Sequence, residues 1–343
     1  MENIQYASSS SALGGATMLE SLVLYTLPDF GPHGDGVINN NFLLSYLKEG
    51  KRYRIVDGGL EAWKGVLKQE NTNFGWQAPT ADMKADLQDP AARLRWDWKT
   101  FTGSLVINKL HEAMNKGSAM IKEWGRGLRD QAESTIPNQF NSGFWAATPG
   151  TQQPESIPSL ISATPTVGTI GGQTRSASAI YQNGAFTTTV ADIGAEAGLS
   201  ALFRQIARRS IGSGGKDKCD LVITTDQLWC GLSAFLTTLN RYRSDERMAK
   251  IGFQAIDYLG TTIGFENTNV EAGYNTILEG YVYGINSKHM FFEALKDGNF
   301  IWNPDGFERV GKTLNKALYF WVFCALTTNL PKAHFVMTNV STT

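Results

Sequence analysis

Residues 219–243 read CDLVITTDQLWCGLSAFLTTLNRYR and join a strand pattern directly to a helical one. The β-branched run at the start favours a strand. The apolar residues after it recur every three or four positions, which predicts a helix with one buried face. Those residues are Leu228, Leu232, Phe235, Leu236 and Leu239.

The helix start and the strands that follow complete this unit. Thr225 or Asp226 is a suitable N-cap, because either side chain accepts from a free backbone N–H. The segments AIDYLGTTIGF, residues 255–265, and ILEGYVYGI, residues 277–285, predict two more strands. Residues 219–292 are therefore expected to form a compact α/β unit, and the segment shows no recognisable catalytic motif.

The composition indicates a folded protein and favours a surface that is partly buried against another molecule. The chain has 343 residues, 42% of them apolar, which excludes wholesale disorder and permits one large core or two modest ones. Charged residues are only 18%, and there are 35 Gly and 9 Trp. Few charges with many large aromatics favour burial against another molecule, although a β-rich protein with many turns gives the same totals. A net charge of −1 argues against a uniformly basic, polyanion-binding surface.

Cysteine usage and apolar runs indicate a reducing compartment. Cys219, Cys230 and Cys324 form no CxxC pair and lie in apolar runs, so we expect buried, reduced thiols. The start of the chain lacks the pattern of a signal peptide. The longest apolar run, 317–326, has ten residues and is too short to cross a membrane. We expect a soluble protein made in a cytoplasm.

The first hundred residues predict an extended arm and a long hairpin. Residues 1–40 are Ser-rich, poor in charge and contain PDFGPHGDG, which favours an arm lying on other surfaces. KEGKRYRIVDGGLEAWKGVLK, residues 48–68, and RLRWDWKTFTGSL, residues 93–105, read as strands separated by a polar middle. An isolated two-stranded ribbon is marginal in water, so this hairpin needs a surface to lie on.

Four hairpin residues are the candidates for contact with a neighbouring subunit. Aromatic and arginine side chains dominate interface energetics. The predicted interface residues are Trp76, Arg93, Trp96 and Trp98. The alternative is an ordinary hairpin packed on its own domain.

The remaining segments alternate between helices, loops and strands. Apolar residues from Ile107 to Leu128 follow heptad spacing, and Lys116-Gly117-Ser118 is expected to break them into a short helix and a longer one ending near Ile136. Residues 141–188 predict loops with short strands. A helix from Asp192 to Ser210, with Leu199, Leu202, Phe203 and Ile206 on one face, and three late strand regions follow.

No segment of the sequence matches a catalytic or nucleotide-binding motif. Residues 212–216, GSGGK, differ from a phosphate loop because Asp217 follows the lysine and a helix precedes the loop. The basic cluster around this turn is explained by the helix dipole, with contacts to nucleic acid or acidic neighbours a minor alternative. It comprises Arg204, Arg208, Arg209, Lys216 and Lys218.

Metal, cofactor and catalytic sites are not predicted. The histidines show no ligand spacing with Cys, Asp or Glu. They are His33, His111, His289 and His334. Asp257, Glu266 and Glu279 are the carboxylates whose convergence the sequence leaves open, so an enzyme of unrecognised type remains only an alternative.

Several segments, in this order, resemble the major capsid proteins of tailed bacteriophages, which have the Hong Kong-type capsid fold. FLLSYLKEGKRYRIVDGG resembles the segment leading into the family's extended loop, and LRWDWKTFTGSLVINKLHEAMNKG its return strand and spine helix. TVGTIGGQTRS with IYQN, and CDLVITTDQLW with RYRSDERMAKIGFQAIDYLGTTI, resemble the middle of the chain and the axial domain. HFVMTNVS resembles the final return strand. The resemblance covers residues 42–341.

The resemblance implies an α+β fold with a defined order of parts. They are an N-terminal arm (1–41), a segment leading into the peripheral domain (42–50), an extended β-hairpin loop (51–99), a peripheral domain with a long spine helix (100–140), an axial α/β domain (141–305) and return strands of the peripheral domain (306–343).

The same resemblance implies the function and the partners. The chain would be a non-enzymatic subunit that assembles with itself, as hexamers and pentamers, into the icosahedral head of a tailed phage around double-stranded DNA, in the host cytoplasm. Portal, scaffolding or decoration proteins are further expected partners, and a membrane is not. An encapsulin-like shell around protein cargo is the alternative within the fold. A tail or adhesion protein would show repeats, and none is seen.

Overall fold

The computed structural model describes residues 41–67, 73–74, 76, 86–87, 91–114, 118–187, 196–209, 217–238, 248, 254–258, 260–266 and 276–340. The predicted arm (1–40), the turn at 210–216, Leu239 and His33 lie outside the described residues, as does most of the distal hairpin.

Six α-helices lie in the described part of the chain. They are α1 (Phe42–Glu49), α2 (Lys109–Met114), α3 (Ser118–Phe144), α4 (Ile157–Leu160), α5 (Glu196–Arg208) and α6 (Asp226–Thr238).

The strands before residue 226 are β1 (Tyr53–Val56), β2 (Glu61–Leu67), β3 (Ala91–Asp97), β4 (Lys99–Asn108), β5 (Thr169–Ile170), β6 (Gln173–Thr174), β7 (Gly184–Thr187) and β8 (Leu221–Thr225). The later strands are β9 (Ile256–Tyr258), β10 (Thr261–Glu266), β11 (Val282–Ile285), β12 (Met290–Leu295), β13 (Ile301–Trp302), β14 (Glu308–Arg309), β15 (Asn315–Thr328) and β16 (Phe335–Thr338).

Two larger sheets organise the molecule. In the first, the long strand β15 pairs with β4 along one edge and with β12, β13 and β14 along the other, and β1 pairs with β12 in parallel. The second sheet has the order β7-β16-β11-β8-β10-β9, with β8 and β10 parallel. Two small sheets, β2–β3 and β5–β6, stand apart from these.

One apolar core joins the two larger sheets. Phe140 and Phe144, on the last turns of α3, pack edge-on against Phe292 of the first sheet. On the second sheet the Phe42 ring of α1 covers Gly264, where a Cβ atom would lie 2.0 Å from the ring. Only glycine permits this approach, so α1 is held between the sheets.

The α/β unit at residues 219–292 forms as its pattern predicts. Leu228, Leu232 and Leu236 are buried on one face of α6. Thr225 is the N-cap, because its Oγ1 accepts from the Leu228 N–H at 3.4 Å. The predicted strand at 255–265 divides into β9 and β10, which pair antiparallel, since Gly260 turns the chain with a φ of +73°.

The structure refines or corrects three local predictions. Residues 42–50, expected only as the segment leading into the peripheral domain, contain the buried helix α1, capped by Asn41, whose Oδ1 accepts from the Leu44 N–H at 2.8 Å. Helix α3 continues past the expected end near Ile136 to Phe144, about 40 Å in all, because its last turns bury Phe140 and Phe144. Cys219 and Cys324 are buried as expected, but Cys230 is exposed on the outer face of α6.

Sheet membership places three regions differently from the expected parts. β1, placed in the extended loop, belongs to the first sheet, so the hairpin consists of β2 and β3. β12 and β13, placed in the axial domain, pair with β15 in the first sheet. β16, placed among the peripheral return strands, lies between β7 and β11 in the second sheet. Pairing partners distant in sequence leave no local pattern, so periodicity does not assign a strand to a sheet; the boundaries of the six expected parts stay predictions.

Candidate assembly surface

The extended hairpin carries a set of uncovered apolar side chains. β2 and β3 pair antiparallel from Glu61↔Asp97 to Leu67↔Ala91. Soluble monomers rarely expose large contiguous apolar patches, whereas singly exposed apolar side chains are common. The exposed ones in and around this hairpin are Leu60 (99%), Trp63 (58%), Phe74 (84%), Trp76 (106%) and Leu87 (103%). We call these five residues the hairpin apolar set.

The four predicted interface residues lie in different surroundings. Trp76 is fully exposed. Arg93 is exposed, with its guanidinium carbon 5.2 Å from the centre of the Trp63 ring. Trp98 is half-buried and its Nε1 donates to the Gly59 carbonyl at 2.9 Å.

The prediction that Trp96 contacts a neighbouring subunit needs correction. The Trp96 side chain is only 4% exposed and belongs to the subunit's own core. Along β3, Leu94 and Trp96 face inward while Arg93 and Arg95 face outward, as strand alternation requires. The alternation of apolar and charged residues identified β3 as a strand. It could not show that the surface covering Trp96 belongs to the same subunit. The contact roles of Trp76, Arg93 and Trp98 stay predictions.

The base of the hairpin is fixed by a buried ion pair. Lys64 of β2 bonds to Glu293 of β12, and the two side chains are 13% and 5% exposed. Lys64 Nζ also lies 4.8 Å from the centre of the Phe291 ring, and Arg54 lies 4.2 Å from it. The pair joins the hairpin to the first sheet at a site with little water, so each charge depends on the other.

A second polar cluster joins the two sheets, and no spacing pattern along the chain predicts it. Asp217 accepts from Lys288 Nζ at 2.8 Å and contacts His289 Nε2 at 3.1 Å. His289 Nδ1 lies 2.8 Å from Asn329 Oδ1. Burial raises the pKa of Asp217, but hydrogen bonds from Lys288, His289 and Asn286 outweigh it and lower the pKa to about 2.

His334 lies inside this junction as a neutral ring. Its Nδ1 accepts from the Asn286 N–H at 3.2 Å, so the ring proton is on Nε2, 3.1 Å from Thr328 Oγ1. Burial, with a smaller effect of nearby His289, lowers the pKa of His334 to about 3. Of the four scattered histidines, two are thus brought together by residues from three separate segments, and their role is structural.

A buried carboxyl group terminates another chain of hydrogen bonds. Asn41 donates to Asn141 Oδ1, and Asn141 Nδ2 donates to Glu266 Oε1 at 2.7 Å. Burial raises the pKa of Glu266 to about 7, with the Asn141 bond acting in the opposite direction. Asp257 lies on β9, opposite Thr262 and away from Glu266 at the end of β10, so these carboxylates do not converge.

These shifts predict how stability depends on pH. Between pH 6.5 and about 3 His334 is protonated in the unfolded chain but not in the native state. The free energy of unfolding therefore decreases as the pH is lowered, by up to about 1.4 kcal/mol per pH unit. Glu266 acts oppositely between pH 4.5 and about 7, because its native form holds the proton. We therefore expect the wild type to lose about 1 kcal/mol per pH unit more than His334→Gln between pH 6 and 4. Urea unfolding at each pH measures this, and parallel curves would contradict it.

The described residues form neither a metal-binding cluster nor a membrane-spanning helix. Among the described residues no group of three or more His, Cys, Asp or Glu side chains is arranged to hold a metal ion. Nor does any helix in this part of the chain combine the length and apolar character needed to span a bilayer. Of the basic cluster, Arg208 lies in the last turn of α5, which agrees with the helix-dipole explanation.

Comparison with known proteins rests on structure. No family model and no curated protein matches the sequence. The capsid protein of cyanophage A-1(L) superimposes with a TM-score of 0.58 at 11% identity, covering 91% of this chain and 93% of that one. The capsid protein of Myoviridae phage XM1 gives 0.54 at 11% identity, covering 86% and 92%. The chain has the Hong Kong-type capsid fold.

The predicted capsid fold is therefore confirmed, including its mixed α+β character. The SrpI encapsulin of Synechococcus elongatus PCC 7942 shares it, with a TM-score of 0.52, 10% identity and coverage of 87% and 88%.

Proposed function

We propose that this chain is the major capsid protein of a tailed phage, a shell subunit that assembles with itself into an icosahedral head around double-stranded DNA. The observation that carries the proposal is the hairpin apolar set, displayed on a chain with the capsid fold. Closed symmetry would satisfy such partial interfaces together, in hexamers and pentamers. Obligate interfaces of this kind commonly exceed about 2,000 Å².

The proposed shell subunit has further partners. Portal, scaffolding or decoration proteins would contact the shell, which would assemble in the host cytoplasm and become part of the virion. A net charge of −1 suits a shell that confines DNA without specific affinity for it. We propose no catalytic activity.

The likeness to the SrpI encapsulin supports a second candidate, a compartment shell around protein cargo. The two differ in contents. Particles purified from the native source would hold nuclease-protected double-stranded DNA in the first case and a protein cargo in the second.

Electron microscopy of the expressed full chain, alone and with any co-encoded scaffold, tests the function. We expect uniform closed shells. A monodisperse monomer under every condition, without rings or shells, would overturn the shell assignment.

Two tryptophan substitutions separate assembly from folding. Trp76→Ser removes a fully exposed ring, so we expect wild-type thermal unfolding of the subunit and at least a tenfold drop in shell yield. Trp96→Ser opens the core, and we expect it to destabilise the subunit itself by about 3–5 kcal/mol. Calorimetry and sedimentation measure both quantities. If Trp76→Ser assembled normally, this ring would not belong to a subunit contact.

A further inference from the structure

The turn between β5 and β6 contacts the outer edge of the extended hairpin. The Arg95 N–H of β3 donates to the Gly171 carbonyl at 2.9 Å, and Gln173 Nε2 lies 3.4 Å from the Arg93 carbonyl. Gly171 has a φ of +52°, and a Cβ atom there would lie 2.7 Å from Leu94 Cβ and 3.0 Å from Leu94 Cα. The contact therefore requires glycine for both conformation and space.

The turn is itself fixed to the body of the subunit. The Arg175 N–H closes it by donating to the Gly168 carbonyl at 3.0 Å. The Arg175 side chain is 2% exposed and reaches the carbonyls at the end of α4, with Nη2 2.6 Å from Ser159 O and 3.0 Å from Leu160 O. A rigid connection thus runs from α4 through the turn to β3.

The contact between turn and hairpin is narrow. An open cleft of about 530 Å³ lies beside it, lined by Arg93, Arg95, Gly172 and Gln173 among others. One backbone hydrogen bond, one side-chain hydrogen bond from Gln173 and one glycine-sized contact hold the two parts together at this point, so we expect a small change at Gly171 to separate them.

We propose that the β5–β6 turn, through Gly171, is a latch that fixes the angle at which the extended hairpin leaves its subunit. If the chain is a shell subunit, as proposed above, that angle determines how the hairpin reaches a second copy of the chain. The apolar residues that would meet this copy are presented by the hairpin, while the direction of their approach is set by the latch.

Gly171→Ala tests the latch, and the next residue supplies the matched control. Gly172 also has a positive φ, +76°, but no atom lies within 4 Å of its would-be Cβ. Both alanines carry the same kind of backbone strain, and only the first collides with β3. The readout is hydrogen exchange of the Arg95 amide in the purified, unassembled full chain.

We expect Arg95 exchange to accelerate at least tenfold in Gly171→Ala and to stay within about twofold of wild type in Gly172→Ala. The Trp96 amide, which faces β2 by strand alternation, should stay protected in both. Equal Arg95 exchange in all three proteins, or equal acceleration in both variants, would overturn the latch. If Gly171→Ala fails to fold, Gln173→Ala, which removes only the bond to Arg93, should still accelerate Arg95 exchange beyond the range of the Gly172→Ala control. Exchange within that range would count against the proposal.

Assembly provides a second and separable readout. We expect shells of Gly172→Ala to keep the wild-type diameter, and Gly171→Ala to give a broad range of diameters or open sheets. Unchanged diameters in Gly171→Ala would overturn the role of the latch in assembly. A wild-type chain that forms no shells would instead refute the proposed function, while the Arg95 result would stand by itself.

Discussion

Lys64→Met is expected to destabilise the isolated subunit by about 3–5 kcal/mol, because it leaves the Glu293 carboxylate buried without its counter-charge. The Glu293 side chain is 5% exposed, so water cannot replace the lost ammonium group. The loss should appear in urea unfolding of the monomeric chain. Because the pair joins β2 to β12, we also expect faster proteolysis of the hairpin.

A double substitution and a surface pair control this prediction. Lys64→Met combined with Glu293→Leu removes both charges, and we expect it to recover most or all of the lost stability. Lys296 and Asp57 form an exposed pair at 3.3 Å, with side chains 68% and 89% exposed, so Lys296→Met should change little. If Lys64→Met were as mild as Lys296→Met, the buried pair would not hold the hairpin.

Arg175→Ala is expected to have an effect of similar size, about 3–5 kcal/mol, through lost hydrogen bonds and an unfilled cavity. The guanidinium donates hydrogen bonds from Nη2 to the carbonyls of Ser159 and Leu160. Its Nη1 donates to Asn183 Oδ1 at 3.2 Å. Burial lowers the pKa of Arg175, with Glu155 acting in the opposite direction, yet an arginine stays charged. Thermal unfolding of the subunit measures the loss.

An exposed arginine and a lysine variant test the cause. Arg129, 41% exposed, pairs with Glu133 one turn along α3 at 3.0 Å, so Arg129→Ala should stay close to wild type. Arg175→Lys keeps the charge but not the planar fork, and we expect about half of the alanine effect or more. A lysine variant as stable as wild type would show that charge alone, and not bidentate geometry, is required at this position.

The sequence predicted those parts of the fold that depend on local periodicity. The buried stripe of α6, the strand alternation of β3 and the start of α3 at Ser118 follow from local patterns in the sequence, and each lies where expected. The capsid fold was predicted from the order of several weak motifs along the chain. Periodicity could not give the sheet that receives β16, because the same strand pattern fits either sheet.

The candidate assembly surface was predicted in outline but not residue by residue. Trp76 and Trp96 have the same side chain in the same predicted hairpin, yet one is fully exposed and the other 4% exposed. What separates them is whether the body of the subunit lies beneath them. The latch at Gly171 was not foreseen either, since a glycine pair in a loop-rich segment suggests a turn but not the strand against which it packs.

From its sequence alone, this protein is a mixed α+β chain of capsid type with a projecting hairpin and without a motif for catalysis. Only the tertiary structure decided that Trp96 belongs to the core, that His334 and Asp217 meet at one junction, and that Arg175 connects α4 to the β5–β6 turn. The physical reason is the distance along the chain over which each interaction acts. Periodicity and capping act over a few residues, whereas Lys64 and Glu293 are 229 residues apart and meet only when the sheets have formed.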